Sequence, residues 1–440
     1  MRRALWGWIT AGVVTALIVT LAVVWPGLDA QRTPSTEPGV WALQTGENVR
    51  YARINTEVLE LDTVRTVSNP SGIVQSERGA FLFAESDSRL LEIDTAMPID
   101  YDDEAQATAD RTPGGTVAVA TAGEYVAYLT DTGTVFAGVL GEATLLIEPH
   151  PAEEDESEEG ADDEGSTAPS WTADAIAIDD AGVLYAYTAD DSIVTRYDVA
   201  QRRLLGEDAA PSGLTSEGLE LTAVDGTWFL VDATSGEIWR RGQADAFQPG
   251  LGGVVVAGTA TARGESAYLA DDLGLVELPK GGEPRRVFDA PGGAPAAPRV
   301  FNGDVYAAWL DIAGGTMWRM PVSGGSDGTQ ISLDYGGLEL PEEREPVFTS
   351  SGSRMILNET RSGWVWTMPD GTLVPSSQQW EPEDDLEEET VETQEQAEVV
   401  TDPRPPVAED DAFGVRPGTL VSLPVMLNDH DPNQDVLTIM

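Results

Sequence analysis

The chain contains no cysteine. Disulfides, thiolate metal sites and cysteine nucleophiles are therefore excluded, and a core of more than about 300 residues must hold the fold instead. Only one of the 25 basic residues is lysine, Lys280. The glycine-rich stretches Gly250-LGG and Pro291-GGAP accordingly lack the lysine and following helix signal of a phosphate-binding loop, and read as surface loops. The chain has two histidines, His150 between two prolines and His430 inside an aspartate-rich turn. Neither has the packed surroundings that orient the base of a Ser-His-Asp triad, and zinc catalysis by a histidine cluster fails for the same shortage. Positive charge is scarce as well: 76 acidic residues give a net charge of −51. Such a field repels phosphate backbones, so nucleic acid is not an expected partner.

An uncharged run follows Arg2 and Arg3, from Ala4 to Trp25. Its length as a helix is about 33 Å, enough to cross a hydrocarbon core of about 30 Å. The two arginines place the short N-terminus inside and the rest outside, with Trp6, Trp8 and Trp25 at interfacial depth. Residues 1–30 are thus expected to be a cytoplasmic tip and a membrane anchor. The alternative is a cleaved signal peptide, for which Leu28-Asp29-Ala30 is a poor cleavage site. A polar spacer, residues 31–38, follows.

From Gly39 one pattern recurs: a glycine, an apolar run, a polar turn, and a second run ending in aromatics or arginine. It begins at Gly39, Gly79, Gly123, Gly182, Gly226, Gly264, Gly303 and Gly352, with steps of 40, 44, 59, 44, 38, 39 and 49 residues. The long step contains the insert 148–165, ten of whose 18 residues are acidic, which is expected to be a solvated loop between blades. Short apolar segments such as Thr116-VAVA, Ala175-IAID, Leu219-ELTAV, Val254-VVAG and Arg299-VF precede the hairpins, and Val287-Phe288 or Val322 would close units of about four strands. Runs apolar on both faces, Tyr125-VAYL and Val183-LYAY, suit sheets sandwiched between neighbours. The expected fold is all-β, a seven- or eight-bladed propeller over residues 39–379, with Leu373-Val374 supplying the first blade's missing strand.

The pattern resembles bacterial surface propellers of the YVTN and NHL type, most closely at Asn48-VRYARIN and Ile193-VTRYDV. The tryptophan-aspartate pair of WD40 blades and the double glycine of kelch blades do not recur. Residues 380–402 hold 11 acidic residues and no basic one, as in an extended tether.

Residues 403–440 resemble the opening of tandem Ig-like or cadherin-like domains of long bacterial surface proteins. The matches are Pro405-Pro406, Asp410-Asp411, Gly418, Val425, Asn428-Asp429, Asp431-Pro432, Asp435 and Leu437-Thr438-Ile439. A sandwich of about 100 residues would be cut short here, so a truncated Ig-like domain of a longer protein is expected. Asp429, Asp431, Asn433 and Asp435 place oxygen donors at alternate positions, as a Ca²⁺ ion needs. The resemblance implies a calcium site at a domain junction in some relatives, completed by Asp410 or Asp411. The alternative is an Asx-rich turn, because Gln434 replaces the glycine of an EF-hand.

The carboxylate pairs Asp179-Asp180, Asp190-Asp191 and Asp271-Asp272 border turns and are read as turn-formers, with glycoside hydrolysis as the alternative. Tryptophans 228, 239, 309, 318, 364 and 366 are read as blade packing, with sugar stacking as the alternative. No catalytic residue is assigned. The expectation is a non-enzymatic, membrane-anchored extracellular interaction module that takes a protein or glycan ligand on a propeller face. The alternatives are an accessory carbohydrate- or wall-binding component and a propeller-type glycoside hydrolase.

Overall fold

A computed structural model describes residues 39–46, 49–150, 171–216, 218–322, 328–380 and 407. The anchor 4–25, most of the acidic insert and of the tether, and the aspartates at 429, 431 and 435 with Asn433 lie outside these residues. The chain divides into two compact units, 1–383 and 384–440. Only Val407 of the second unit is described, so the fold below is that of the first.

Eight antiparallel sheets follow one another along the chain. They span residues 39–66, 70–111, 116–146, 175–209, 219–240, 255–289, 294–333 and 346–373, and are called blades 1 to 8. Hairpins hold their register through residues that tolerate positive φ. Asp225-Gly226 (φ 47° and 75°) and Asn302-Gly303 (49° and 85°) are the two-residue turns favoured between twisted strands. The second strands are sealed on both faces, as at Val126–Thr130 and Leu184–Thr188, all buried.

Packing between blades closes the ring. Each of eight apolar clusters joins two consecutive sheets. Phe81, Phe83, Val126 and Tyr128 join blades 2 and 3, and Tyr185, Tyr187, Trp228 and Leu230 join blades 4 and 5. Val40, Ala42 and Ile54 of blade 1 pack on Ile356 and Val365 of blade 8. The last cluster excludes an open row of hairpins: the fold is an eight-bladed β-propeller, almost without helix. Among the described residues the exceptions are one short α-helix, Asp103–Ala107, and a 3-10 turn, Pro375–Gln378.

The seam is not closed as the sequence suggested. Thr372–Leu373 stays in blade 8, where Leu373 pairs with Trp366, and blade 1 remains three-stranded. Side chains replace the shared strand: Leu43 N–H donates to Asn358 Oδ1 at 2.8 Å, and Leu61 N–H to Ser376 Oγ at 3.0 Å. Trp380, assigned from sequence to the tether, belongs to this seam. It is buried among the closing residues, and its Nε1–H donates to the carbonyls of Gly363 and Ser377. Val322 does not form a closing strand either, since Thr329–Leu333 does so in blade 7.

Candidate functional site: the channel and one ring face

Acidic residues at hairpin ends recur because a carboxylate there can accept several turn amides at once. Asp179, 1% exposed, accepts from the amides of Ala181 and Val183 and from the Tyr185 hydroxyl. Burial pushes its pKa up, and those donors only partly offset this. Asp180 accepts from the Ala262 amide at 2.6 Å. Asp271, 0% exposed, is gripped by both Arg286 nitrogens at 2.6 and 2.7 Å and accepts from the amides of Gly252, Leu273 and Gly274. Here burial raises the pKa, but Arg286 and the amides outweigh it and hold the carboxyl below its usual range. Asp272 accepts from the Gly253 amide, and Asp190 and Asp191 are exposed in the turn before Ile193. These pairs form turns and anchor loops, as read from sequence.

The tryptophans are likewise structural. Trp228, Trp309 and Trp366 are fully buried, Trp239 and Trp364 nearly so, and Trp318 stacks on Phe288 at 4.4 Å. Trp309 Nε1–H donates to the Asp271 carbonyl, tying blade 7 to blade 6. Their rings are therefore spent on blade contacts, not on a sugar-stacking platform. His150 is exposed and meets Glu207 Oε1 at 2.7 Å.

The innermost strands border the central channel. A cavity of about 700 Å³ opens against blades 3, 4 and 5, beside Val117, Asp131, Asp174, Ile176 and Glu220. Asp174 accepts from the Ala189 amide. Burial raises the pKa of Glu220, and the Ala257 amide partly offsets it. A second cavity, about 130 Å³, lies by Gln75, Thr121–Gly123, Arg299 and Val347–Ser350, on the inner strands of blades 2, 3, 7 and 8.

In the four-stranded blades the turn between second and third strands shares a ring face with the loop leading to the next blade. On that face Val254, Leu273, Ile312 and Leu338 are 55, 50, 39 and 54% exposed. Val254 ends the loop into blade 6, and Leu273 sits in the second turn of blade 6. Ile312 occupies the same turn of blade 7, and Leu338 the loop from blade 7 to blade 8. Hydrogen bonds fix these loops: Gly253 N–H to Asp272 Oδ1, and Leu340 N–H to the Ile312 carbonyl. The sequence reading missed this arc. Its signal was an apolar residue inside a turn signature, as in Asp271-Asp272-Leu273-Gly274.

No protein-family model and no curated protein matches the chain. Among solved structures, PorZ is described as an essential bacterial surface component of the type-IX secretion system of Porphyromonas gingivalis. It is 12% identical over 71% of this chain at TM-score 0.40, and the chain spans only 38% of it. BamB from Moraxella catarrhalis is 11% identical at TM-score 0.35, covering 74% of this chain and 89% of its own. Virginiamycin B lyase from Staphylococcus aureus is 13% identical at TM-score 0.39, covering 67% and 92%.

Proposed function

We propose that this chain is a membrane-anchored extracellular interaction module in which the propeller is the recognition unit. In this reading residues 4–25 hold it to the membrane and residues 381–402 lead to an Ig-like array beginning near residue 403. That array takes Ca²⁺ at its aspartate turn, and the whole belongs with YVTN- and NHL-like surface propellers. The observation that carries a binding role is the arc of Val254, Leu273, Ile312 and Leu338. Large apolar side chains grouped on one face and rimmed by polar turns mark protein-binding surfaces more often than catalytic ones.

Two measurements on intact cells test the proposal. The absence of native cysteine makes Ser235→Cys, in an exposed turn, a single labelling site. A membrane-impermeant maleimide should label it without lysis, and labelling only after lysis refutes the extracellular assignment. A photo-crosslinking amino acid at Leu273 or Leu338 should capture a discrete partner. The same group at Glu283, exposed in the third turn of blade 6 on the opposite face, should not. Equal capture from both positions removes the case for this face.

A further inference from the structure

Among the described residues Arg299 stands apart from the other channel groups. Many other arginines meet carboxylates, as in Arg196–Asp208, Arg286–Asp271 and Arg319–Asp304, and Arg240 instead donates to the Pro279 and Gly282 carbonyls. Arg299, on the innermost strand of blade 7, has no carboxylate within ion-pair reach among the described residues. Its contacts are two hydroxyls, Thr259 Oγ1 at 3.3 Å and Ser350 Oγ at 3.5 Å, both long for hydrogen bonds. A guanidinium carries five N–H donors, and these two contacts engage a minority of them. Surrounding protein also desolvates it and lowers its pKa, with no charge nearby to offset this. Arg299 is half-buried and lines the 130 Å³ cavity.

The cavity wall fits one kind of occupant. Thr121, Thr349 and Ser350 offer polar groups, Gln75 being tied to the Trp41 amide and the Gly39 carbonyl, while Ile73 and Val347 are apolar. About 130 Å³ exceeds the room of a single water several-fold, yet suits only a small organic molecule. A lone guanidinium pairs best with a planar two-oxygen monoanion, and a desolvated cation without a counter-ion is costly until one arrives. We propose that this chamber binds a carboxylate group through Arg299, with a short alkyl chain against Ile73 and Val347. The group comes from a free short-chain acid or from the end of a peptide. This site is independent of the apolar ring face and of the extracellular assignment.

The test measures thermal unfolding of the full chain at pH 7 and fixed sodium, with the bulky buffer anion HEPES as baseline. Sodium acetate or butyrate at tens of millimolar should raise Tm by about 2 °C or more. N-acetyl-diglycine forms the peptide arm, and whichever arm gives the larger shift identifies the source. Arg299→Met should abolish the shift and, in HEPES, melt no lower than wild type, because an unpaired charge has been removed. Should Arg299→Met fail to fold, Val347→Phe fills the cavity with Arg299 in place and should also abolish the shift. No shift in wild type, an equal shift with chloride, or a shift that survives both substitutions would overturn the assignment. A purely structural arginine predicts instead a lower Tm for Arg299→Met and no anion dependence in either protein.

Discussion

The amide of Leu43 donates to Asn358 Oδ1 at 2.8 Å across the seam of the ring, joining positions 315 residues apart. The Asn358 amide group in turn donates to the Trp364 carbonyl at 3.3 Å. One buried side chain thus performs part of what a shared strand would do, since blade 1 has only three strands. Asn358→Ala leaves the buried Leu43 N–H unpaired, a loss of about 1–3 kcal/mol, while the Trp364 carbonyl keeps the Glu359 N–H. Urea unfolding should show a lower midpoint at unchanged slope. An unaltered midpoint would mean that the seam does not depend on this residue.

The repeat was legible because its causes are local. A glycine or Asp-Gly turn sets each hairpin, and second strands buried on both faces must be apolar throughout. The closing of the ring was not legible, because it rests on side chains at Asn358, Ser376 and Trp380 that carry no periodic signal. Trp380 opens an acidic run, so composition drew the boundary one residue early. Arg299 was equally hidden. Its neighbours Thr259 and Ser350 lie 40 and 51 residues away, about one blade in each direction, and only the closed ring brings them together.

Gly363 and Trp380 form a lock-and-seat contact. Gly363 has φ of +83°, and a Cβ there would lie 2.8 Å from the Trp380 ring. Gly363→Ala therefore combines left-handed strain of about 1–2 kcal/mol with displacement of the indole. The expected result is a lower Tm and red-shifted tryptophan emission. Ending the chain after Gln379 should lower Tm similarly, and ending it after Trp380 should restore it. If both truncations melt alike, Trp380 is not part of the propeller's stable unit.

In blade 2, Glu85, Ser86 and Asp87 all have positive φ, at 52°, 54° and 63°. Asp87 is held by hydrogen bonds to Ser71 and Thr112, but Ser86 is exposed. Ser86→Gly relieves the steric cost without removing a contact, although glycine's larger unfolded-state entropy opposes the gain. A net stabilisation of up to about 1 kcal/mol is expected in equilibrium unfolding. A destabilised Ser86→Gly would show that the entropic cost of glycine exceeds any strain relieved at this position.

Two buried aspartates should respond to acid with opposite signs. Asp271 has its folded pKa lowered, chiefly because Arg286 outweighs the effect of burial. Its contribution is complete above the unfolded value of about 3.9 and is lost as pH falls through the folded value. Asp271→Asn strands the Arg286 charge and should cost about 3–5 kcal/mol at pH 7, a deficit that narrows below about pH 4. Asp179 is the reverse case, its folded pKa raised by burial. The ionised form is therefore disfavoured in the fold, and wild type gains stability as pH falls through that raised value toward the unfolded one. Asp179→Asn keeps an acceptor for the Ala181 and Val183 amides, and its NH₂ can donate to the Tyr185 oxygen. It should equal or exceed wild type by up to about 1 kcal/mol at pH 7, and the advantage should vanish in acid. Urea titrations at pH 7 and pH 4 distinguish the two. A deficit for Asp179→Asn at neutral pH, or one for Asp271→Asn that grows in acid, would reverse the assigned directions.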